Sequence, residues 1–165
     1  MLLRAMTDAD TYAVLSLNAS NIDATGPLDL DRLAKIRSMA SRADVVEVDG
    51  WIAAFALVIP PDADYDSANF AWFRERYGNE FLYLDRVVVS RANRRSGIAG
   101  RIYDAAEADA TSHGRLACEV NAEPPNDASL AFHTNRGFVE AGRLTHDSGK
   151  VTAMFVKQLG ASGGR

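Results

Sequence analysis

The sequence has one cysteine, three histidines and no long apolar run. Cys118 cannot form an internal disulfide, which is typical of a reducing compartment, and its apolar strand predicts a core position. The longest apolar run, Trp51 to Ile59, is far shorter than the ~20 residues of a membrane-spanning helix. Residues Met1 to Arg4 are too short and too soon charged for a signal peptide. We therefore expect a cytoplasmic protein without a membrane partner.

Basic residues are fewer than acidic ones, since the chain has 18 Lys and Arg but 22 Asp and Glu, and the pI is about 5.3. This balance argues against a nucleic-acid partner, although it is compatible with a local basic patch. The three histidines lack the spacing of metal ligands, so no metal site is predicted. The 165 residues are enough for one core. We expect a single domain over residues 1–160 and a disordered tail at 161–165.

The stretch from Tyr83 to Arg101 has the pattern of a strand, a polar turn and a helix. β-branched residues run to Val89, and small residues around Gly97 open a helix that extends to about His113. The first N–H groups of a helix have no intrahelical partner, and the helix dipole is positive there. This helix start is therefore a candidate pyrophosphate site. Its residues are Arg94, Arg95, Ser96, Gly97, Ile98, Ala99, Gly100 and Arg101.

Several known nucleotide-binding loops do not fit this stretch. It lacks the Gly-x-x-x-x-Gly-Lys-Ser/Thr of a P-loop and the Gly-x-Gly-x-x-Gly of a dinucleotide-binding fold. Gly97-Ile98-Ala99-Gly100 does match the Gly-x-x-Gly loop of RNA-binding KH domains. That loop lies between two helices, whereas a valine-rich strand precedes it here, and the acidic composition also argues against RNA.

The remaining sequence alternates short strands and helices. Asp49-Gly50 between two apolar runs favours a type I′ hairpin, and its second arm, Trp51–Ile59, predicts a strand buried on both faces. Other predicted strands are Leu2–Ala5, Arg115–Asn121, Gly137–Gly142 and Val151–Gln158. Predicted helices run from a capping box at Thr7 to about Ser20, and over Asp29–Ala40, Ser67–Tyr77 and Asp127–Arg136. The polar segment Asn18–Leu28 is either an ordinary helix–helix connection or has a substrate role.

Residues 60–80 form a long insertion before the valine-rich strand. Asp62, Asp64 and Asp66 alternate, but the glycine and glutamate of a calcium loop are missing, which favours a solvated acidic loop. The aromatic helix that follows has two interpretations. It either closes one end of the core or forms a lid over a substrate site. As a lid, its acids and aromatic rings would gather a cationic amine.

Two motifs resemble those of the GNAT superfamily, the acyl-CoA-dependent N-acyltransferases. Arg94-x-x-Gly97-x-Ala99 is similar to the family's Gln/Arg-x-x-Gly-x-Gly/Ala signature. The second half is similar to its Asn-x-x-Ala/Ser helix followed by Tyr-x-x-x-Gly-Phe. The matching residues there are Asn121, Asn126, Ser129, Phe132, His133, Gly137 and Phe138. The order of elements also resembles this family over nearly the whole chain, most closely small bacterial acetyltransferases of unassigned substrate.

The resemblance implies an α/β (α+β) fold with a central mixed, mostly antiparallel sheet of about seven strands and helices on both faces. It implies transfer of an acetyl group from acetyl-CoA to a primary amine by direct attack in a ternary complex. The acceptor is a small-molecule amine or a protein amine. The resemblance does not decide between a monomer and a homodimer. The alternative is a non-catalytic acyl-CoA-binding sensor or complex subunit, which turnover of acetyl-CoA with amines would distinguish.

The resemblance also implies which groups hold the cofactor. Backbone N–H groups of Val87, Val88 and Val89, where the strand bulges, are expected to polarise the acyl carbonyl and bind the pantetheine amides. Strand alternation places Tyr83, Asp85 and Val87 on one face. The amides of residues 95–100 are expected to bind the pyrophosphate. The second motif adds the expected contacts Asn121, Asn126, Ser129 and Phe132.

The reaction needs a base for the amine and stabilisation of the departing thiolate. Asp85 and Glu119 are the candidate bases, although each could instead be a structural partner of Arg86 or Arg115. His133 stands where many family members have a tyrosine that protonates the thiolate, so it is the candidate general acid. A histidine titrates closer to neutrality than a tyrosine. The other interpretation of His133 is a buried hydrogen-bonding residue on the helix face.

Overall fold

One seven-stranded sheet runs through the described part of the chain, in the order β1-β2-β3-β4-β5-β7-β6. A computed structural model describes residues 1–160, so the predicted tail at 161–165 lies outside the described residues. All neighbouring strands are antiparallel except the parallel pair β4–β5. This confirms the predicted mixed sheet. The strands are β1 (Leu2–Ala5), β2 (Arg42–Val48), β3 (Trp51–Ile59), β4 (Leu82–Val89), β5 (Arg115–Glu123), β6 (Val139–Thr145) and β7 (Val151–Gln158).

Helices cover both faces of the sheet, as predicted. They are α1 (Thr11–Ala19), α2 (Ile22–Thr25), α3 (Leu30–Met39), α4 (Ala68–Tyr77), α5 (Ile98–Ala110) and α6 (Asp127–Asn135). One core cluster joins α1, α3 and α4 to the sheet, and the other joins α5 and α6 to the opposite face. The one-turn helix α2 was not predicted, because its segment is short and polar. No helix of residues 1–160 is long and apolar enough to cross a membrane.

The β2–β3 hairpin forms as the sequence predicts. Asp49 has φ 52° and Gly50 has φ 81°, the positive values that a type I′ turn requires at both central positions. From Ala53 to Ile59 every residue of β3 is buried, so this strand is covered on both faces. Trp51 departs from the prediction, since 79% of its surface is exposed at the hairpin end.

A β-bulge in β4 changes the predicted strand faces. Leu57 pairs with Arg86 and Val58 with Leu84, which leaves Asp85 as an extra residue without a partner on β3. The extra residue shifts the alternation, so Val87 packs in the core cluster of α5 while Tyr83 packs in the opposite cluster. The prediction that Val87 shares a face with Tyr83 was therefore wrong, and the bulge lies at Asp85 rather than in residues 87–89.

β4 and β5 separate soon after they meet. Their parallel pairing consists of Leu82 with Leu116 and Tyr83 with Ala117, and no further pair follows within residues 1–160. Beyond Tyr83 the two strands diverge and leave a gap in the sheet. β5 also runs two residues past its predicted end at Asn121, because it continues to pair with β7 through a second irregularity.

Helix α4 closes the core at one end of the sheet. Phe70, Trp72 and Phe73 are buried, and Phe73 packs 5.8 Å from the ring of Tyr83. The faces of Phe70 and Trp72 are covered by the guanidinium groups of Arg74 and Arg76. These rings are not available to an amine, so the structure favours the core-closing interpretation over the lid.

Truncating one of these aromatic side chains should lower stability strongly. We expect Phe73→Ala to reduce the free energy of unfolding by about 3–5 kcal/mol, because it leaves a cavity among buried rings. Glu75→Ala on the exposed face of the same helix is the control and should change stability by less than about 0.5 kcal/mol. Urea unfolding followed by circular dichroism measures both. Similar unfolding midpoints for Phe73→Ala and Glu75→Ala would contradict the core-closing interpretation and favour the lid.

Candidate active site

A cavity of about 330 Å³ occupies the gap between β4 and β5. Its walls come from the two strands, α6, the segment around α2, and the hairpin between β6 and β7. Many of the predicted site residues line it: Asp85, Val87, Glu119, Asn121, Asn126, Ser129 and His133. Val88, Val89, Phe132 and residues 94–101 do not contribute to its walls. The predicted residues that line the cavity thus lie on both strands and on α6 or its N-cap.

Glu119 presents a carboxylate to this cavity from β5. Its Oε2 accepts a hydrogen bond from the hydroxyl of Tyr83 at 2.6 Å. Glu119 has no ion-pair partner within residues 1–160, and Arg115 donates instead to the carbonyl of Glu80. Burial raises the pKa of Glu119 to about 8, and the Tyr83 hydroxyl opposes this rise only in part. A half-buried carboxylate of this kind can accept a proton near neutral pH.

Asp85 has a different environment at the β4 bulge. Its Oδ1 accepts from the hydroxyl of Tyr65 at 2.6 Å, and its Oδ2 accepts from Nε of Arg86 at 2.8 Å. Only 5% of the Asp85 side chain and 8% of the Arg86 side chain are exposed. Both carboxylate oxygens are therefore engaged, which is the structural ion pair that the sequence left as an alternative.

His133 forms a buried pair with a tyrosine that the sequence analysis did not identify. Its Nδ1 lies 2.7 Å from the carbonyl oxygen of Ser129, which only accepts, so Nδ1 carries the proton. Nε2 is then bare and accepts from the Tyr103 hydroxyl at 2.6 Å. Burial lowers the pKa of His133 and raises that of Tyr103 well above its ordinary value. The cavity therefore faces a neutral histidine and a protonated tyrosine.

The backbone of β4 offers donors on the side of the gap. Ser90 N–H donates to the carbonyl of Ala53 on β3 at 2.8 Å. Because N–H groups alternate along an antiparallel strand, the N–H of Val88 also faces β3. Those of Val87 and Val89 then face the gap, where β5 does not pair with them. Of the three valines predicted to supply N–H groups, two are thus oriented for a ligand.

The start of α5 has the geometry of an anion site. Gly97 is the N-cap with φ 84°, a conformation that glycine adopts without strain, and no atom lies within 4 Å of where its Cβ would be. Arg94, Arg95 and Ser96 are exposed beside it, while the side chain of Ile98 is buried in the core. The first N–H groups of α5 have no intrahelical partner, as at any helix start, and Gly97 places no side chain beside them.

The second motif holds α6 against the cavity. Asn126 caps this helix, since its Oδ1 accepts from the N–H of Ser129 at 3.3 Å. Asn121 extends from β5 and donates to the carbonyl of Asp23 near α2. Phe132 packs edge-on against Tyr103, with 5.1 Å between the ring centroids. Phe132 thus supports the cavity wall from behind and does not line it.

Segment Asn18–Leu28 borders the cavity, through Ala24, Thr25 and Gly26. Asn18 is buried and fixes the segment, because its Nδ2 donates to the Gly26 carbonyl and its Oδ1 accepts from Arg86. This favours the substrate-role interpretation of the segment. The available signal in the sequence was Asn18 itself, a polar residue four positions after Val14 on the same helix face.

The hairpin wall contains polar residues that the sequence analysis missed. Thr152 is buried, and its hydroxyl lies 3.1 Å from Oδ1 of Asn69 and 3.0 Å from Nε2 of His146. Lys150 lines the same wall. These residues come from α4, β7 and the loop before it, and no local motif connects them. Within residues 1–160, no group of three or more acidic, cysteine or histidine side chains could hold a metal ion.

Comparison with known proteins shows the family of this chain. Residues 11–138 match the sequence model of the Acetyltransferase (GNAT) family. No protein with a curated description matches the sequence. Among solved structures, Ard1 from Thermoplasma volcanium is similar, with a TM-score of 0.77 and 15% identity over 96% of this chain and 97% of that chain.

Two further solved structures are similar over nearly their whole length. The ribosomal-protein-S18-alanine N-acetyltransferase from Escherichia coli has a TM-score of 0.72 and 16% identity, covering 99% of this chain and 97% of that chain. The ribosomal-protein-alanine N-acetyltransferase from Brucella melitensis has a TM-score of 0.70 and 21% identity, covering 96% and 100%. At these identities the structures establish a shared fold, and the sequence model establishes the family.

The anion site at α5 can be tested with matched glycine variants. We expect Gly97→Glu to weaken coenzyme A binding at least tenfold, because a carboxylate would compete with the pyrophosphate for the same N–H groups. Gly78→Glu is the control, since Gly78 also has a positive φ and open space around it but lies in the turn after α4. Isothermal titration with coenzyme A compares the two. Unchanged affinity in a folded Gly97→Glu protein would contradict the assignment.

Proposed function

The chain belongs to the GNAT acetyltransferase family, and we propose that it transfers the acetyl group of acetyl-CoA directly to a primary amine. Residues 1–160 would form its single domain. The observation that carries this proposal is the cavity between β4 and β5. There a carboxylate without an ionic partner, on Glu119, faces strand N–H donors across the gap.

The residues around the cavity fit coenzyme A. The N–H groups at the start of α5 would hold the pyrophosphate, with Arg94 and Arg95 adding positive charge. The N–H groups of Val87 and Val89 would bind the pantetheine amides and the acyl carbonyl. Acetyl-CoA supplies the acetyl group as a thioester. Two of the similar structures are named N-acetyltransferases, which supports an amine as the acceptor.

Glu119 would act as the base. An ammonium group cannot attack a thioester, so it first gives one proton to Glu119. The nitrogen then bonds to the acetyl carbon, the C–S bond breaks, and the nitrogen loses a second proton to become the amide. The thiolate takes up one proton and the other leaves to solvent, which balances the reaction. Oε2 of Glu119 is held by Tyr83, and Oε1 makes no hydrogen bond to a side chain within residues 1–160. Asp85 cannot take this role without breaking its pair with Arg86.

Tyr103 would supply the proton for the thiolate, with His133 as its positioning partner. The Tyr103 hydroxyl keeps its proton because burial raises its pKa. His133 is neutral and holds that hydroxyl through Nε2. This assignment replaces direct protonation by His133, because its ring proton is fixed on the Ser129 carbonyl, whereas the Tyr103 hydroxyl can rotate its proton from Nε2 toward a thiolate.

Turnover of acetyl-CoA with a panel of primary amines tests the proposed function. Thiol release and the mass of the acetylated product should both increase with acceptor concentration. If acetyl-CoA binds but no amine, amino acid or peptide is acetylated, the protein is the non-catalytic acyl-CoA-binding module and the proposal is wrong.

The pH dependence should report the base. Glu119 accepts a proton only when ionised, and its pKa is about 8, so kcat/KM should rise with pH through that value. We expect Glu119→Gln to lower kcat/KM by roughly 10²-fold or more and to remove this rise. Glu123→Gln, an exposed acid on the same strand, is the control. A pH profile that keeps its rise in Glu119→Gln would exclude this base.

Removing one hydroxyl should separate proton delivery from cofactor binding. We expect Tyr103→Phe to lower the single-turnover rate by roughly 10²-fold with little change in affinity for acetyl-CoA, because the ring keeps its packing. His133→Phe should also lower this rate, since it removes the acceptor that orients the hydroxyl. Tyr77→Phe on α4 is the control. A normal rate in Tyr103→Phe would show that Tyr103 is only structural.

A further inference from the structure

The acidic groups of the cavity are already occupied by hydrogen bonds or by the proposed catalytic role. Both oxygens of Asp85 accept hydrogen bonds, from Tyr65 and from Arg86. Glu119 has one oxygen on Tyr83, and its proposed catalytic role needs the other. Burial also favours its neutral form below about pH 8. The cavity therefore has no carboxylate left for a second positive charge on the acceptor.

The cationic groups of the cavity are not all occupied by hydrogen-bond or ion-pair partners within residues 1–160. Arg86 uses Nε for Asp85 and Nη1 for Asn18, at 2.8 Å and 3.2 Å, and its Nη2 has no hydrogen-bond partner within residues 1–160. Its side chain is 92% buried and lines the cavity. Lys150, on the opposite wall, has no acidic side chain within 4.0 Å in the same part of the chain.

One neutral side chain beside the hairpin wall, Asn69 of α4, is a donor as well. If the Thr152 hydroxyl donates to Oδ1 of Asn69, it accepts from Nε2–H of His146. The amide nitrogen of Asn69 is then left to donate toward the cavity that it lines. Lys150, Arg86 and Asn69 together offer N–H donors to whatever occupies this half of the cavity, and Lys150 adds a positive charge that pairs with no acid within residues 1–160.

We propose that the acceptor carries an anionic group close to its amine, in the manner of a free amino acid, and that Lys150 and Arg86 bind this anion. The proposal rests on the proposed acetyltransferase function and adds its acceptor class. A cavity of about 330 Å³ is at the small end of ligand sites and also has to receive the acetyl end of the cofactor. A small zwitterion fits both the size and the charge.

This assignment differs from the cationic acceptor that the sequence suggested. That expectation depended on an acidic rim at Asp62, Asp64 and Asp66. None of the three contributes to the cavity walls, and Asp66 pairs with Arg32 on α3. The aromatic rings that were to hold an ammonium group are buried in the core. The charges that face the cavity therefore decide the class of acceptor.

Binding measurements test the acceptor class without depending on turnover. Each natural amino acid is titrated calorimetrically into the protein saturated with coenzyme A, beside its amide and its decarboxylated amine. At least one amino acid should bind tenfold or more tightly than its own amide, because only the acid has the anion. This preference should shrink as salt is raised. A peptide with that residue at its N-terminus should bind no better than the amide.

Variants of Lys150 test whether the preference for the acid over the amide arises at this site. Lys150→Gln should reduce the acid-to-amide preference at least fivefold, and Lys150→Arg should retain most of it. Lys35→Gln, at an exposed position of α3, is the matched control and should leave the preference unchanged. Equal binding of acid and amide, or tighter binding of a diamine or of the N-terminal peptide, would overturn the proposal.

The acceptor class and the acetyltransferase function can fail separately. If amino acids bind with the expected preference but are not acetylated, the acceptor pocket is supported and the proposed function is wrong. If amines are acetylated without any advantage for those that carry an anion, the function is supported and the acceptor class is wrong.

Discussion

The site depends on one interruption in the sheet, the early separation of β4 from β5. After Leu82 and Tyr83 the strands no longer pair, and the β5-facing backbone of Val87 and Val89 loses its ladder partners. Backbone N–H groups in a protein interior need acceptors. In a GNAT-family enzyme the cofactor can supply them, so the same break in pairing creates both the cavity and the polar edge that a ligand would complete.

The bulge at Asp85 determines what the cavity wall presents. The extra residue places two adjacent charged side chains, Asp85 and Arg86, where a regular strand would bury one and turn the other to the opposite face. They form an ion pair, Tyr65 and Asn18 bind one further atom of each, and Nη2 of Arg86 has no hydrogen-bond partner within residues 1–160. Glu119 is the contrasting case, because it bonds a tyrosine and pairs with no cation in the same part of the chain, so its carboxylate is easy to protonate. One acid is thereby structural and the other is suited to proton transfer.

Local signals predicted the fold well. The Asp49-Gly50 turn and the strand Val151–Gln158 are where the sequence placed them, because turn chemistry and alternation act over a few residues. The bulge at Asp85 was not predictable from such signals, and it reversed the face of Val87. Tyr103 had the pattern of an ordinary core residue on α5. Its role depends on a partner thirty residues away, His133, and no local pattern encodes that contact.

The two halves of the cavity are built from different materials. The half assigned to the cofactor uses backbone groups of β4, and the start of α5 extends this site outside the cavity walls. Both parts require a bulge, a gap and a glycine at Gly97 but few particular side chains. A fold can keep such a site while most of its sequence changes, and similar structures at 15–21% identity share this fold. The half assigned to the acceptor uses single side chains from several elements, including Arg86, Asn69 and Lys150. Substituting Lys150 changes the charge of the pocket and breaks no ion pair within residues 1–160, so acceptor specificity can diverge while the cofactor half stays the same.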